Sequence, residues 1–166
     1  MHTRALVETL KNAKAFFNNT PDLGEAIRKV LDENTGYKKE IEGFVQEKTA
    51  RLAEKLSKEA SEINGLKVVK FTNSVDPALI KGVAGLLQKQ SEKFVFVAAF
   101  EYAQKPNLVL MYSPDLVAKG KNAGKDIREA AKFILGGGGG QPGLATAGGK
   151  NVAGLKDALD KLVETA

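Results

Sequence analysis

The stretch Phe94-Val95-Phe96-Val97-Ala98-Ala99-Phe100-Glu101 decides the fold. An almost unbroken apolar run this rich in Phe and Val predicts a strand at the centre of a sheet, covered on both faces. Working outward, Gln104-Lys105-Pro106-Asn107 reads as a turn, and Leu108 to Tyr112 returns as an adjacent strand. Upstream, Leu66 to Thr72 reads as a strand. Asp76-Pro77 then opens a helix that carries Leu79, Val83, Leu86 and Leu87 on its inner face. Downstream, Ser113-Pro114-Asp115 starts a short helix that Gly120 stops. Asn122 caps the next helix, which sends Ile127, Ala131 and Ile134 inward and stops at Gly136. A last helix uses Val152, Leu155, Leu159 and Leu162. The expected order for residues 65–166 is β-α-β-β-α-loop-α, an α/β (α+β) domain with a small mixed sheet.

Residues 1–64 carry a different period. Leu6, Leu10, Ala13 and Phe17 form a helical stripe, and Asn18-Asn19 breaks it. Thr20 is placed to cap a second helix, with Pro21 at its first position. Leu23, Ile27, Val30, Asn34, Tyr37, Ile41 and Phe44 then recur in steps of four and three, as a heptad seam requires. The seam slips by one residue to Val45, Leu52, Leu56 and Ile63, while Gly36 and Gly43 weaken the helix and allow a break near Thr35-Gly36. One narrow apolar stripe on so long a helix needs a partner. Either residues 5–17 fold back on it as a helical hairpin, or a second copy pairs with it as a coiled coil. In the second case Ile27, Asn34, Ile41 and Leu52 lie at the dimer contact, with Asn34 setting register.

Between the last two helical patterns lies GGGGGQPGLATAGGKN, residues 136–151. Taken as a loop over residues 136–149, it is free to use positive φ and to bring bare N–H groups close to an anion. The alternative is a linker or a long helix cap. It is not a Walker loop: the position six before Lys150 is Leu144, and Asn151 follows the lysine where Ser or Thr is required. The match of Gly138, Gly140 and Gly143 to a dinucleotide fingerprint follows a helix instead of a strand and contains Pro142.

Composition excludes several chemistries. There is no cysteine and one histidine, His2. Zinc sites, Cys/His nucleophile pairs and Ser-His-Asp triads therefore have no residues to build from, and no catalytic residue, metal or cofactor is assigned. No apolar leader or membrane-length run occurs, so a soluble cytoplasmic protein without membrane partners is expected. The net charge of +5 is uneven. Residues 66–149 hold eleven basic side chains (Lys67, Lys70, Lys81, Lys89, Lys93, Lys105, Lys119, Lys121, Lys125, Arg128 and Lys132) against six acidic ones, while the other segments balance. That excess suggests a polyanion partner.

Three pieces of sequence carry a family resemblance: DLVAKGKNAG at residues 115–124, the helix over 127–135, and the glycine-rich stretch. Together they resemble the C-terminal domain of bacterial alanyl-tRNA synthetases, in the DHH-associated nucleic-acid-binding group. The ENTGYKKEIE of residues 33–42 is similar to the connecting helix of those enzymes. The family follows its glycines with Arg-Pro-Asp, where this chain has Gln141, Pro142 and Gly143. The resemblance implies a non-catalytic module that binds tRNA(Ala) and supports homodimerisation, with the alanine-activating and editing domains supplied upstream. From the basic excess beside the Asn122 helix start and the bare backbone of the glycine stretch, the expected nucleic-acid contacts are Lys119, Lys121, Asn122, Lys125, Gly136, Gly137, Gly138, Gly139, Gly140, Gln141, Gly148, Gly149 and Lys150. Two alternatives stay open: the substrate-binding domain of a DHH phosphoesterase, whose relatives usually place His where Gln141 stands, and a purely structural dimerisation module.

Overall fold

The computed structural model describes residues 2–166, which divide into two compact units: the chain up to Val45, and residues 46–166. In the first unit, α1 spans His2–Ala15. Asn18 and Asn19 then take left-handed φ values of 53° and 55°, the conformation that stops a helix and that Asn tolerates best after Gly. Helix α2 spans Leu23–Lys58. Its cap is Asp22 and not Thr20: the Asp22 carboxylate accepts the Glu25 N–H at 2.8 Å, while the Thr20 hydroxyl donates to the Asp22 carbonyl. The helix begins at Leu23, two residues too late for Thr20 to reach its free N–H groups. No break occurs at Thr35-Gly36, where the Thr35 hydroxyl donates back to the Leu31 carbonyl within the helix.

The expected helical hairpin does not close within this unit. Leu6, Val7, Leu10 and Phe16 are exposed, as are Ile27, Val30, Leu31, Tyr37, Ile41 and Phe44 of α2. Helix α1 therefore leaves the heptad stripe open.

The second unit takes in α2 from Gln46 onward. That helix stops at Lys58, short of Ile63. Ser61–Ile63 instead forms β1, which turns at Asn64 (φ 52°) and Gly65 (φ 77°) into β2, Leu66–Phe71. Asn-Gly between two short strands is the turn whose two positive φ values match the twist of a hairpin. Helix α3 (Pro77–Gln90) has Asp76 as its cap, accepting from the Ala78 N–H. Strands β3 (Phe94–Tyr102) and β4 (Lys105–Tyr112) meet at Ala103 and Gln104, both left-handed, so β4 starts three residues earlier than expected. Then come α4 (Pro114–Ala118), α5 (Ala123–Ala131), β5 (Gly137–Gly140), β6 (Leu144–Gly148), a 3-10 turn at Val152–Gly154, and α6 (Leu155–Thr165).

The sheet order is β1-β2-β3-β4-β6-β5. Only β2 and β3 are parallel, joined by α3 as a crossover. Every other pair is antiparallel. Alternation along β3 and β4 feeds two cores. Val95, Val97, Leu108 and Leu110 face Ile127, Ala131 and Ile134 of the α5 segment and Ala158 and Leu162 of α6. Phe94, Phe96, Phe100, Val109 and Met111 face Ile80, Val83 and Leu87 of α3 and Ala53 and Leu56 of α2. The result is a three-layer α/β unit with β3 and β4 at its centre, as a run of apolar residues buried on both faces demands.

Candidate nucleic-acid interface

The glycine stretch is not a loop. It is the β5–β6 hairpin at the edge of the sheet, paired from Gly137↔Gly148 to Gly140↔Ala145. Its turn is Pro142-Gly143, closed by Gln141 N–H to the Leu144 carbonyl at 3.0 Å. That turn is tied down twice: the Ala123 N–H donates to the Pro142 carbonyl at 2.8 Å, and the Tyr112 N–H to the Gly143 carbonyl at 2.9 Å. None of the glycines from 136 to 149 takes a left-handed φ; the glycines with positive φ are Gly65 and Gly120.

Close approach is what excludes side chains here. A Cβ at Gly138 would collide with the Thr146 carbonyl and with Ala147, whose Cα would lie at 2.6 Å. At Gly136 it would strike the Gly148 carbonyl, and at Gly140 the Leu144 carbonyl. The strand is rolled about its axis, so alternate positions aim at β6 instead of standing off the sheet. At Gly137, by contrast, a Cβ would meet nothing within 4 Å. A second close approach joins hairpin to helix: a Cβ at Gly124 of α5 would lie 2.7 Å from the Gly140 carbonyl. The Arg128 guanidinium lies beside Gly139, 3.5 Å from where a Cβ would stand.

Two adjoining clefts border this hairpin. One, about 370 Å³, is lined by Pro77, Ala78 and Lys81 of α3, by Asn107, Leu108 and Val109 of β4, and by Gly137, Thr146, Ala147 and Gly148. The other, about 380 Å³, is lined by Lys105, Pro106, Asn107, Leu135, Gly136, Gly137, Gly148, Gly149 and Lys150. Asn107, Gly137 and Gly148 belong to both. Lys81, Lys105 and Lys150 are exposed, and none joins a salt bridge among the described residues. Leu135 is 70% exposed and left-handed at φ 49°, a strained conformation for that residue.

The Lys119–Lys125 corner is a different environment. Lys121 is half-buried; its ammonium donates to the Thr165 carbonyl at 2.6 Å and stands 6.0 Å above the Tyr112 ring, which fastens the end of α6. The Tyr112 hydroxyl donates to Asp126 at 2.7 Å, and burial, reinforced by that carboxylate, pushes its pKa up. Asn122 is a helix cap, its side chain accepting the Lys125 N–H. Asp115 accepts the Lys93 N–H; Ser113 first, then that N–H, holds its carboxyl below the usual value against opposing desolvation. Lys119 and Lys125 remain exposed, and Gln141 is exposed at the hairpin turn.

The structure therefore brings together part of the expected set. The glycines 136, 137, 148 and 149 and Lys150 share the clefts, while Lys119, Lys121, Asn122 and Lys125 line neither. Lys81 and Lys105 belong to the basic excess of the sequence, but only the pairing of β4 with β6 and the packing of α3 carry them, with Asn107, to the hairpin. Of the proposed dimer residues, Ile27, Asn34 and Ile41 are exposed in the first unit, whereas Leu52 is half-buried against the core of the second. No group of His, Cys, Asp or Glu able to hold a metal occurs among the described residues, and no described helix is long and apolar enough to cross a membrane.

A mixed sheet between helical layers, edged by a hairpin with no room for side chains at Gly136, Gly138 and Gly140, defines an α/β module with a bare-backbone edge. Residues 64–166 match the DHHA1 domain model, and the chain belongs to that family. Over 160 residues it is 51% identical to an alanine–tRNA ligase of Bacteroides fragilis and 48% identical to that of Bacteroides thetaiotaomicron, covering 96% of this chain and 18% of each relative. The chain thus spans about a fifth of the length of these relatives. Among solved structures, it is similar to the C-Ala domain of the Aquifex aeolicus alanyl-tRNA synthetase, with TM-score 0.55 and 29% identity over 64% of this chain and 96% of that one. A DHH-domain member of the s1p ribosomal protein family shares the fold at 13% identity and TM-score 0.50, over 76% of this chain and 32% of that one.

Proposed function

We propose that this chain is the C-terminal tRNA-binding module of an alanine–tRNA ligase, without catalytic residues of its own. It would hold tRNA(Ala) for aminoacylation and editing by domains elsewhere in the parent protein. The observation that carries this reading is the similarity to alanine–tRNA ligases along nearly the whole chain, helical arm included. The basic excess of residues 66–149 supports a polyanion partner, and the scarcity of aromatic residues favours recognition of shape and backbone over base stacking. The open stripe on α2 supports a homodimer that pairs through Ile27 and Ile41. A cytoplasmic location accords with the same partner.

Filter binding of tRNA(Ala) and of unrelated tRNAs at two salt concentrations tests the reading. Affinity should fall steeply with salt and depend little on anticodon sequence. A flat salt response would remove it. Sedimentation of wild type beside Ile41→Asp tests the dimer: the substitution should shift the population to monomer, and a wild type that is strictly monomeric at high concentration would exclude pairing through this stripe.

A further inference from the structure

We infer that the two clefts beside the glycine hairpin form one continuous trough that seats the sugar-phosphate backbone of the bound RNA, a surface that rests on the tRNA reading above and is distinct from the Lys119–Lys125 corner. Three independent features converge on it. The first is charge. Lys81 stands on the α3 side, and Lys105 and Lys150 stand on the opposite side, all exposed and outside any ion pair among the described residues. Of the nearby carboxylates, Asp76 is turned onto the Ala78 N–H of its own helix, and Glu101 lies across the strand pair from Pro106, beside Lys105. Ammonium groups left free in this way can exchange water and counterions for phosphate oxygens, which is where RNA-binding free energy arises.

The second feature is the floor. Gly137 and Gly148 carry no side chains, and they belong to both clefts together with Asn107, whose amide donates to the Lys105 carbonyl. A strand of RNA can therefore approach the backbone closely at Gly137 of β5 and Gly148 of β6. The third is Leu135. It is an exposed aliphatic residue at the rim of the second cleft, held left-handed because it ends the α5 segment: its N–H donates to the Lys132 carbonyl and the Gly136 N–H to the Ala131 carbonyl. An apolar group at that position can rest against a ribose. The Lys119–Lys125 corner keeps two exposed lysines, but its central ammonium is spent on the Thr165 carbonyl and none of its residues lines either cleft.

The test uses the full chain, a tRNA(Ala) transcript, filter binding across a salt series, and melting by circular dichroism. In the triple variant K81A/K105A/K150A, three lost phosphate contacts should lower the salt slope by about 2 to 3 and leave melting unchanged. Gly137→Glu places a carboxylate where a side chain meets nothing within 4 Å. It should cost roughly tenfold or more in affinity through like-charge repulsion. K119A/K125A should cost less affinity and less slope than the trough triple. If the wild type binds with a steep slope and both trough variants match it, the trough is overturned while the tRNA reading stands. If K119A/K125A loses the binding instead, the RNA lies on that corner and the trough is again overturned. A wild type that binds no tRNA overturns both. Should Gly137→Glu melt early, the lysine triple, whose side chains are all exposed, decides alone.

Discussion

Strands β3 and β5 belong to one sheet and hold their places by opposite means. β3 is FVFVAAFEY, and its first seven side chains are buried, shared between two cores. β5 is GGGG and buries no side chain at all. Its specificity comes from backbone approaching backbone, with Gly136, Gly138 and Gly140 pressed against β6 and Gly140 against Gly124 of α5. A strand of the first kind loses stability when atoms are removed. One of the second kind loses it when atoms are added. The same geometry that forbids side chains leaves a clear surface on the hairpin, so the structural requirement and the proposed binding role share their cause.

The largest effect should follow from adding atoms to β5. Gly138→Val needs a Cβ inside the van der Waals radius of the Thr146 carbonyl and of Ala147, both of them parts of β6 that pair directly with β5. Neither is the end of a flexible side chain, so the strands must separate. We expect a loss beyond about 4 kcal/mol, at the upper end of what single substitutions do, together with loss of RNA binding. Urea unfolding measures it. A Gly138→Val protein with wild-type stability would mean that β5 is a flexible linker after all.

Removing atoms from β3 comes next. Phe96 is fully buried and its ring lies 6.5 Å from that of Phe71. Phe96→Ala should cost about 3–5 kcal/mol through lost transfer energy and the cavity left behind. The denaturant midpoint should fall without a change in slope. A cost under about 1 kcal/mol would show that the core on the α3 side does not hold the sheet.

The two strands also differ in how legible they were. β3 could be read from its residues alone, because burial on both faces writes a continuous apolar run. The same holds for α3 and α5, each announced by a cap, Asp76 or Asn122, and an inward stripe. β5 reads in sequence as a loop, since glycine carries neither hydrophobic period nor strand propensity, and pairing with Leu144–Gly148 is visible only once β4 has positioned β6. The left-handed turn at Ala103-Gln104 was hidden for a related reason: neither residue favours positive φ, and the sheet imposes it. At the proposed interface, the glycines and Lys150 were legible as local sequence. Lys81 and Lys105 were not, because they reach the site from distant parts of the chain.

The smallest expected effect separates packing from contact within β5 itself. Gly137 is flanked by two glycines that tolerate nothing, yet a Cβ on it meets no atom within 4 Å and its φ is not left-handed. Gly137→Ala should therefore fold normally. It should be more stable by about 0.5–1 kcal/mol, because alanine loses less chain entropy than glycine in a strand. A methyl group carries no charge and is small beside a phosphate, so tRNA affinity should stay within about twofold of wild type, an energy difference of roughly 0.4 kcal/mol. Thermal melts paired with filter binding check both statements. If Gly137→Ala is destabilised as Gly138→Val is, the alternation along β5 is wrong, and every glycine in the run is needed for the fold. If it is stable but binds tRNA far more weakly, the RNA backbone lies against the strand so closely that even a methyl group intrudes.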